Sequence, residues 1–493
     1  MGALVAAAVI VALVPATSTV TNANPLPAPP PTYRRLGDAE AQTLERIWYA
    51  GDGSWHLCAN DGACARSHAD VDWGADSLTY ALWLHWFTTH DAHVVPIMAA
   101  LLEHAMHYSS SAASWSDVPM WDAIADAREH EVTGSQQALT NAENAFAYVD
   151  QDVAGNAFAA GFCPNVHYQL PHAGGAGLKT LETDSNYIKA AILLYEDTGD
   201  RRYLSRAEAM YRNVRTWFLE PGTSLYTVYL WDDGSSCERV ARQFFSSVNG
   251  NMIWNGHELG KLTATAAYSK DARAAEHDVI ARLNDAAGVF ESLQQENDTS
   301  EELVEAMWAL AHDGDAAAKK WVLTNMSAAA SGETSNGVFG RFFGGMPPTG
   351  VKTSAWAGAG GISLAFAAAA LAPRGTAAVP TYWASKHYVP DNLTVTTTPG
   401  QFTFTGRAVS IVGTLAQQPG HIAVFVDGAQ TENQLGIDQG YPTAGTIPHT
   451  VLFAWRWPAA GMHTLQFRPP AGNQQNVKQG AAWFHMQGYY YVP

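Results

Sequence analysis

Between residues 37 and 373 the chain reads as twelve helix-like segments whose connections alternate short and long. The tight turns include Val132-Thr133-Gly134-Ser135 and Asp197-Thr198-Gly199-Asp200, and the long connections run near 50–72, 151–181, 220–245 and 331–353. Antiparallel helices joined in this rhythm put every long loop at one end of the stack. Long loops in a compact domain tend to carry function. Six such hairpins predict an (α/α)6 toroid of inner and outer helices with a loop-built mouth. A weak internal repeat supports this, because Glu131-Val132-Thr133-Gly134 and Glu196-Asp197-Thr198-Gly199 lead into the next helix with the same spacing.

The hydrophobic period changes from helical to two beyond Pro373. Phe402 and Phe404, Val409 and Ile411, then Ile422, Val424 and Val426, and Val451, Phe453, Trp455 and Trp457 alternate, with Gly-containing turns between them. The predicted fold class is therefore multi-domain: an all-α toroid followed by a smaller all-β sandwich. The expected boundaries are a signal peptide over 1–23, a Pro-rich linker over 24–36, the barrel over 37–373, a linker over 374–384 and the sandwich over 385–493. The apolar run Ala3–Val14 has the length of a secretory core and is too short to span a bilayer, although no basic residue precedes Arg34. Secretion is the expectation, with no membrane association of the mature chain. Four cysteines fit an oxidising compartment, with Cys58–Cys64 as a local pair and Cys163–Cys237 as a bridge across the mouth. Asn297, Asn325 and Asn392 begin glycosylation sequons, which matter only in a eukaryotic host.

The net charge of −18, with 28 basic against 46 acidic residues, argues against a nucleic-acid or polyanionic partner. The acidic residues instead gather where inner helices are expected to start, near Asp72, Ser116, Glu182, Ser246, Glu301 and Ser354. Asp72 and Asp76, Asp117 and Asp122, Glu182 and Asp184, Asp232 and Asp233, and Glu296 and Asp298 stand there. Trp73, Trp115, Trp121, Tyr168, Trp231, Trp254 and Trp356 lie beside them. Sugars offer C–H faces to aromatic rings and hydroxyls to carboxylates and amides such as that of Asn251. Glycoside hydrolysis needs two carboxyl groups, one of which must keep its proton. The pattern thus predicts catalysis by Asp117, Asp122, Glu182 and Asp184. Substrate binding is expected from Trp73, Trp115, Trp121, Tyr168, Asp232, Asp233, Asn251, Trp254 and Trp356. The competing explanation is that Asp and Glu simply cap helices. Asp122 is rotated away from Asp117 on a helix and can instead stack over Asp126.

The stretch from Ser114 to Asp122 resembles glycoside hydrolase family 76, endo-acting α-1,6-mannanases with an (α/α)6 barrel. In that family an inner helix opens with an Asp-Asp pair, a Trp follows, and a helix ends in an E-L-T-G-D type turn. Asp117, Trp121 and Glu131-Val132-Thr133-Gly134 follow that layout. Residues 179–200 and 246–266, and Gly344-Gly345-Met346-Pro347-Pro348-Thr349, resemble later parts of the family's barrel. The resemblance implies that Asp117 is the acid/base and that the family's nucleophile position is Ser116. Either Asp122, Glu182 or Asp184 then supplies the second carboxyl, with Asp184 or Asp122 the expected partner, or the chain has a different linkage specificity or mechanism. A polysaccharide lyase and a non-catalytic glycan-binding protein are the alternatives.

No metal or other cofactor is expected. Asp70, Asp72 and Asp76 offer a weak calcium pattern, and His90 with His93 or His104 with His107 a weaker zinc one. The expected partner is a polysaccharide or oligosaccharide substrate, and the chain is expected to be a monomer. In the C-terminal domain, Trp455, Trp457, Tyr489 and Tyr490 are either a sugar-stacking platform or packing residues.

Overall fold

The structure is a computed structural model that describes residues 32–49, 51, 72–103, 115–155, 161–169, 177–240, 244–291, 300–331, 343–345, 358–376, 382–395, 398–416, 422–431, 446–468 and 484–493. The proposed signal peptide, the Cys58–Cys64 loop, Asn297 and His104 with His107 lie outside these residues.

Twelve helices form the first domain among the described residues. The inner ones are α2 (Asp72–Thr89), α4 (Val118–Thr133), α6 (Leu181–Thr198), α8 (Ser246–Thr263), α10 (Glu301–His312) and α12 (Ala359–Leu371). Each packs on the next and α12 returns to α2, so the ring is closed. The outer helices are α3 (Val94–Glu103), α5 (Gln136–Gly155), α7 (Arg201–Trp217), α9 (Ala266–Arg282) and α11 (Ala316–Ser331), and α1 (Tyr33–Trp48) completes the outer layer against α12. Burial follows from this placement: Pro119–Glu129 of α4 and Ser246–Gly260 of α8 are buried without interruption. The helical domain begins before residue 37. Thr32 caps α1 by accepting the Arg35 N–H at 3.3 Å, and Tyr33 N–H reaches the carbonyl of Gly375 at 3.3 Å, so the chain ends of the barrel are tied together.

The short turns share one construction. Thr133, Thr198 and Thr263 each donate a hydroxyl to the carbonyl four residues back (2.8, 2.6 and 2.6 Å) and accept the N–H two residues on. The residue between, Gly134, Gly199 or Ala264, is left-handed and reverses the chain. Because these hairpins recur at a 65-residue interval, Asp117, Glu182 and Ser247 occupy equivalent positions at the starts of three successive inner helices.

The barrel interior is polar at its centre. Arg128 of α4 and Lys189 of α6 both bind Glu305 of α10, at 2.6 and 2.5 Å. The Arg128 guanidinium lies 3.6 Å from the Trp83 ring centre, and Lys189 stands over Tyr80 and Trp254. Burial pushes Glu305 up, but the two cations outweigh it and hold the carboxyl below its usual range. Such charges are tolerated inside because they are paired.

A short antiparallel sheet, β1 (Gly177–Thr180), β2 (Tyr229–Asp232) and β3 (Cys237–Arg239), lies on the loop side and feeds directly into α6. The expected Cys163–Cys237 disulfide is formed and ties the loop over 161–169 to β3.

Beyond a 3₁₀ turn over Tyr382–Ser385, the second domain is antiparallel β. It contains β4 (His387–Pro390), β5 (Thr394–Val395), β6 (Gly400–Ala416), β7 (Ala423–Val426), β8 (Ala429–Gln430), β9 (Thr446–Arg468) and β10 (Phe484–Val492). The order is β4-β10-β6-β9-β7-β8, with β5 against β10. The long strands β6 and β9 slip register at three places, as bulges that bend a sheet do. Phe404, Val409, Ile411, Phe453, Trp457, Leu465 and Tyr489 fill one core, while Val412, Val451 and Ala454 pack on the other face. Trp457 and Tyr489 are therefore packing residues: Tyr489 stacks on Phe402 at 4.2 Å and Trp457 on His463 at 3.8 Å. No helix of the described residues is long and apolar enough to cross a membrane.

Candidate active site

Three inner helix starts are pinned to one another at the mouth. Ser116, just before α4, donates its hydroxyl to the Tyr168 carbonyl at 2.6 Å and shares a 2.6 Å contact with the Thr183 hydroxyl of α6. Its own N–H reaches the Gln169 carbonyl at 2.9 Å. Glu182, next to Thr183, accepts the Ser247 hydroxyl of α8 at 2.7 Å. Asp117 and Glu182 thus occupy equivalent positions at the starts of neighbouring inner helices.

Asp117 is the N-cap residue of α4 through its backbone carbonyl, which accepts the N–H groups of Met120 (2.9 Å) and Trp121 (3.0 Å). Its backbone is helical (φ −76°, ψ −32°) and its side chain makes no cap bond. Its Oδ1 is enclosed and has no hydrogen-bond partner among the described residues. Burial pushes the carboxyl up to about 6, against the pull of its own N–H and that of Val118. On α6 the capping is done by Thr180, whose hydroxyl accepts the Glu182 N–H at 3.2 Å, so the Glu182 carboxylate is not needed for it. Unlike the fully buried Asp184, Glu182 keeps part of its surface in solvent.

The other two expected catalytic carboxylates are placed differently. Asp184 is fully buried and its Oδ1 meets His167 Nδ1 at 2.5 Å, while the His167 N–H lies 3.3 Å from both oxygens. Burial raises its pKa and the His167 contacts oppose the rise. Asp122 is buried one helical turn above Asp126, whose carboxyl is pushed up to about 8 by burial and by the Asp122 and Glu129 charges. It stacks along α4 and is not brought to Asp117.

The loop over 161–169 is a clamped framework. Lys179 is buried and donates to the carbonyls of Cys163 (2.7 Å) and Val166 (2.8 Å), with Tyr168's ring 4.1 Å from its ammonium; burial lowers it to about 8. Asp232, expected to bind substrate, is buried too. Its Oδ2 accepts the N–H groups of Phe162 (2.8 Å) and Cys163 (3.3 Å) and the Tyr168 hydroxyl (3.0 Å), and its Oδ1 takes the Gly234 N–H (2.9 Å). Asp233 closes the next turn on Ser235 and Ser236, which pull it down to about 2. Four expected binding residues therefore build the framework: Tyr168 and Asp232 hold the loop, and Asn251 and Trp254 lie inside the barrel. Asn251 donates to Asn186 at 2.6 Å there. Local sequence could not separate these from surface groups, since their partners come from distant segments. Trp121 is also buried, edge-on to Tyr80 at 5.8 Å. The side chains of Trp73 and Trp356, and of Asp70, Asp72 and Asp76, lie outside the described residues.

Trp115, at 52% exposed, is the expected aromatic that does face solvent, and Phe162, at 50%, joins it. Both sit on segments bonded to Tyr168, so they share one rim. Phe162 was missed because a single Phe beside a cysteine carries no periodic signal. Ser247 and His167 were also missed; the 65-residue recurrence was the clue to Ser247. His93 binds Glu45 at 2.8 Å, and Asn325 is buried with its Oδ1 accepting the Phe290 N–H at 2.8 Å, which closes that sequon to glycosylation. Among the described residues no group of three or more His, Cys, Asp or Glu is arranged to hold a metal ion.

No family model and no curated protein sequence matches the chain. Solved structures do match. An alpha-1,6-mannanase of glycoside hydrolase family 76 from Salegentibacter sp. aligns at a TM-score of 0.59 and 20% identity, covering 69% of this chain and 99% of that one. The barrel has the fold of that mannanase. A variant of the same protein, inactivated by changing two adjacent aspartates to asparagine, is in complex with alpha-1,6-mannotriose. A family 76 alpha-mannanase from Bacteroides thetaiotaomicron aligns at 0.57 and 16% identity over 69% of this chain and 96% of that one. A cellobiose 2-epimerase from Bacillus thermoamylovorans aligns at 0.54 and 10% identity over 68% and 97%. The toroid therefore serves more than one carbohydrate chemistry.

Proposed function

We propose that the chain is a secreted glycoside hydrolase that cleaves an α-linked, mannan-like polysaccharide, with Asp117 as general acid and Glu182 as the second carboxylate. The observation that carries this reading is the state of Asp117: its side chain makes no cap bond, its Oδ1 is enclosed, and burial pushes its carboxyl up to about 6. A carboxyl of that kind holds a proton near neutral pH and can deliver it to a glycosidic oxygen. As the C1–O bond breaks, the leaving sugar takes that proton. Glu182 either draws a proton from the water that attacks C1 or bonds to C1 itself before water releases it. Ser116 does not replace a nucleophile in this scheme, because its hydroxyl is buried and spent on the Tyr168 carbonyl and Thr183. The Trp115–Phe162 rim supplies faces for sugar rings. The N-terminal apolar run and the Cys163–Cys237 bridge support secretion.

A lyase needs a cation to neutralise a uronate. Lys179, Lys189 and Arg128 are all committed to internal partners, which disfavours that chemistry. Ser116 favours a second reading, a glycan-binding protein without turnover. The test is release of reducing ends from a panel of polysaccharides including α-1,6-mannan, by the parent chain and by Asp117→Asn and Glu182→Gln. Cleavage by the parent and not by either variant supports the proposal. Binding without release by the parent supports the second reading. The anomer of the first product separates the two roles of Glu182.

A further inference from the structure

The β domain meets the barrel at a point the proposed reaction does not use. Arg456 of β9 lies between two loops of the barrel. On one side is Asp285, in the connection from α9 to α10. Its carboxylate accepts the N–H groups of Ala287 (2.8 Å) and Val289 (3.0 Å), takes the backbone N–H of Arg456 and faces the Arg456 guanidinium. On the other side is Gly344, in the connection from α11 to α12. A Cβ there would stand 2.8 Å from Arg456 Cδ and 3.2 Å from Val289 Cγ1, so the arginine stem crosses close over the glycine and must shift to admit a larger residue. This accounts for a glycine in a segment singled out by sequence and not used by the catalytic reading.

Both connections are long ones, and the outer helices α9 and α11 run toward the mouth. The inner helices that follow them, α10 and α12, stand across the ring from α4 and α6. Arg456 thus fastens the β domain to the rim opposite Asp117, Glu182, Trp115 and Phe162. Asp285 is itself buried, which pushes its carboxyl up to about 6, and the Val289 N–H and the Arg456 charge oppose that rise in part.

We infer that Arg456 is a positioning residue that locks the β domain onto the mouth, making it a fixed far wall of the groove rather than a freely tethered module. The occupant of the groove, an extended polysaccharide chain, rests on the function proposed above, whereas the lock does not. A chain long enough to cross the mouth meets this wall, and a trisaccharide held near Asp117 does not.

The test combines hydrogen–deuterium exchange with kinetics on the full chain, for Arg456→Ala and for Gly344→Val, which displaces the arginine without removing it. Exchange over residues 285–291 and 343–345 should accelerate at least tenfold in both variants, with α4 and α6 unchanged. KM for α-1,6-mannan should rise about fivefold to tenfold, while kcat and hydrolysis of a trisaccharide stay within twofold. Unchanged loop exchange overturns the lock. Accelerated exchange with an unchanged KM for the polymer overturns the wall. If the parent chain cleaves no glycan, the function proposed above fails, and exchange alone decides the lock.

Discussion

Replacing Asp117 by Asn removes the proposed acid while keeping an acceptor for the N–H groups of residues 117 and 118, and the enclosed Oδ1 has no hydrogen-bond partner among the described residues to lose. The size of the effect follows from its titration. A carboxyl near 6 keeps roughly a tenth of its protons at pH 7, whereas one at the ordinary 3.8 keeps less than about 0.1%, so burial raises the working acid about 100-fold. Loss of a positioned general acid lowers kcat by ~10²–10⁴. In the parent, kcat/KM on α-1,6-mannan should fall as pH rises through about 6. An aryl glycoside whose leaving group needs no proton should lose far less than the polymer does. The same substitution should stabilise the fold. The folded-state pKa is raised, so ionised Asp117 destabilises the native state at neutral pH. That penalty is absent below about 3.8 and complete above about 6. The full shift corresponds to ~3 kcal/mol, and partial exposure of the residue reduces it to about 1–2 kcal/mol. Thermal unfolding at pH 7 and pH 3.5 checks the sign: the Asn variant gains at the first and not at the second. Undiminished mannan cleavage by Asp117→Asn, or an alkaline limb well away from 6, would refute the assignment.

Three further outcomes follow from the placement of the remaining groups. Glu182→Gln should lower kcat by ~10²–10⁴ with little change in KM, and reducing-end release within tenfold of the parent would remove Glu182 from the mechanism. Asp184→Ala leaves buried His167 without its carboxylate and should cost about 3–5 kcal/mol in urea unfolding. A cost below 1 kcal/mol would mean that the pair does not hold the loop. Cys163→Ser with Cys237→Ser opens a loop whose ends are 74 residues apart and should cost about 2–4.5 kcal/mol, read as a drop in Tm that reducing agent reproduces in the parent.

Much of the architecture was legible in the sequence. The alternation of turn lengths and the Thr-Gly hairpins at 133–134 and 198–199 foretold the toroid, because helix ends and left-handed reversals are set by a few neighbouring residues. The period-two pattern beyond 400 announced the β domain for the same reason, although the bulges that bend β6 and β9 left no local mark. The Cys163–Cys237 bridge was expected and is formed, and Asp117 was expected at the start of an inner helix, where the structure places it. What the sequence by itself determined was therefore the set of carboxylates at the inner helix starts. Tertiary structure decided what each one does. Asp184 is taken by His167 from a preceding loop and Asp232 by N–H groups about 70 residues earlier, and Asp122 stands over the like-charged Asp126, while the Asp117 Oδ1 stays enclosed with no hydrogen-bond partner among the described residues. Desolvation and hydrogen-bond satisfaction depend on which distant segments arrive around a group, and no local pattern encodes that arrival.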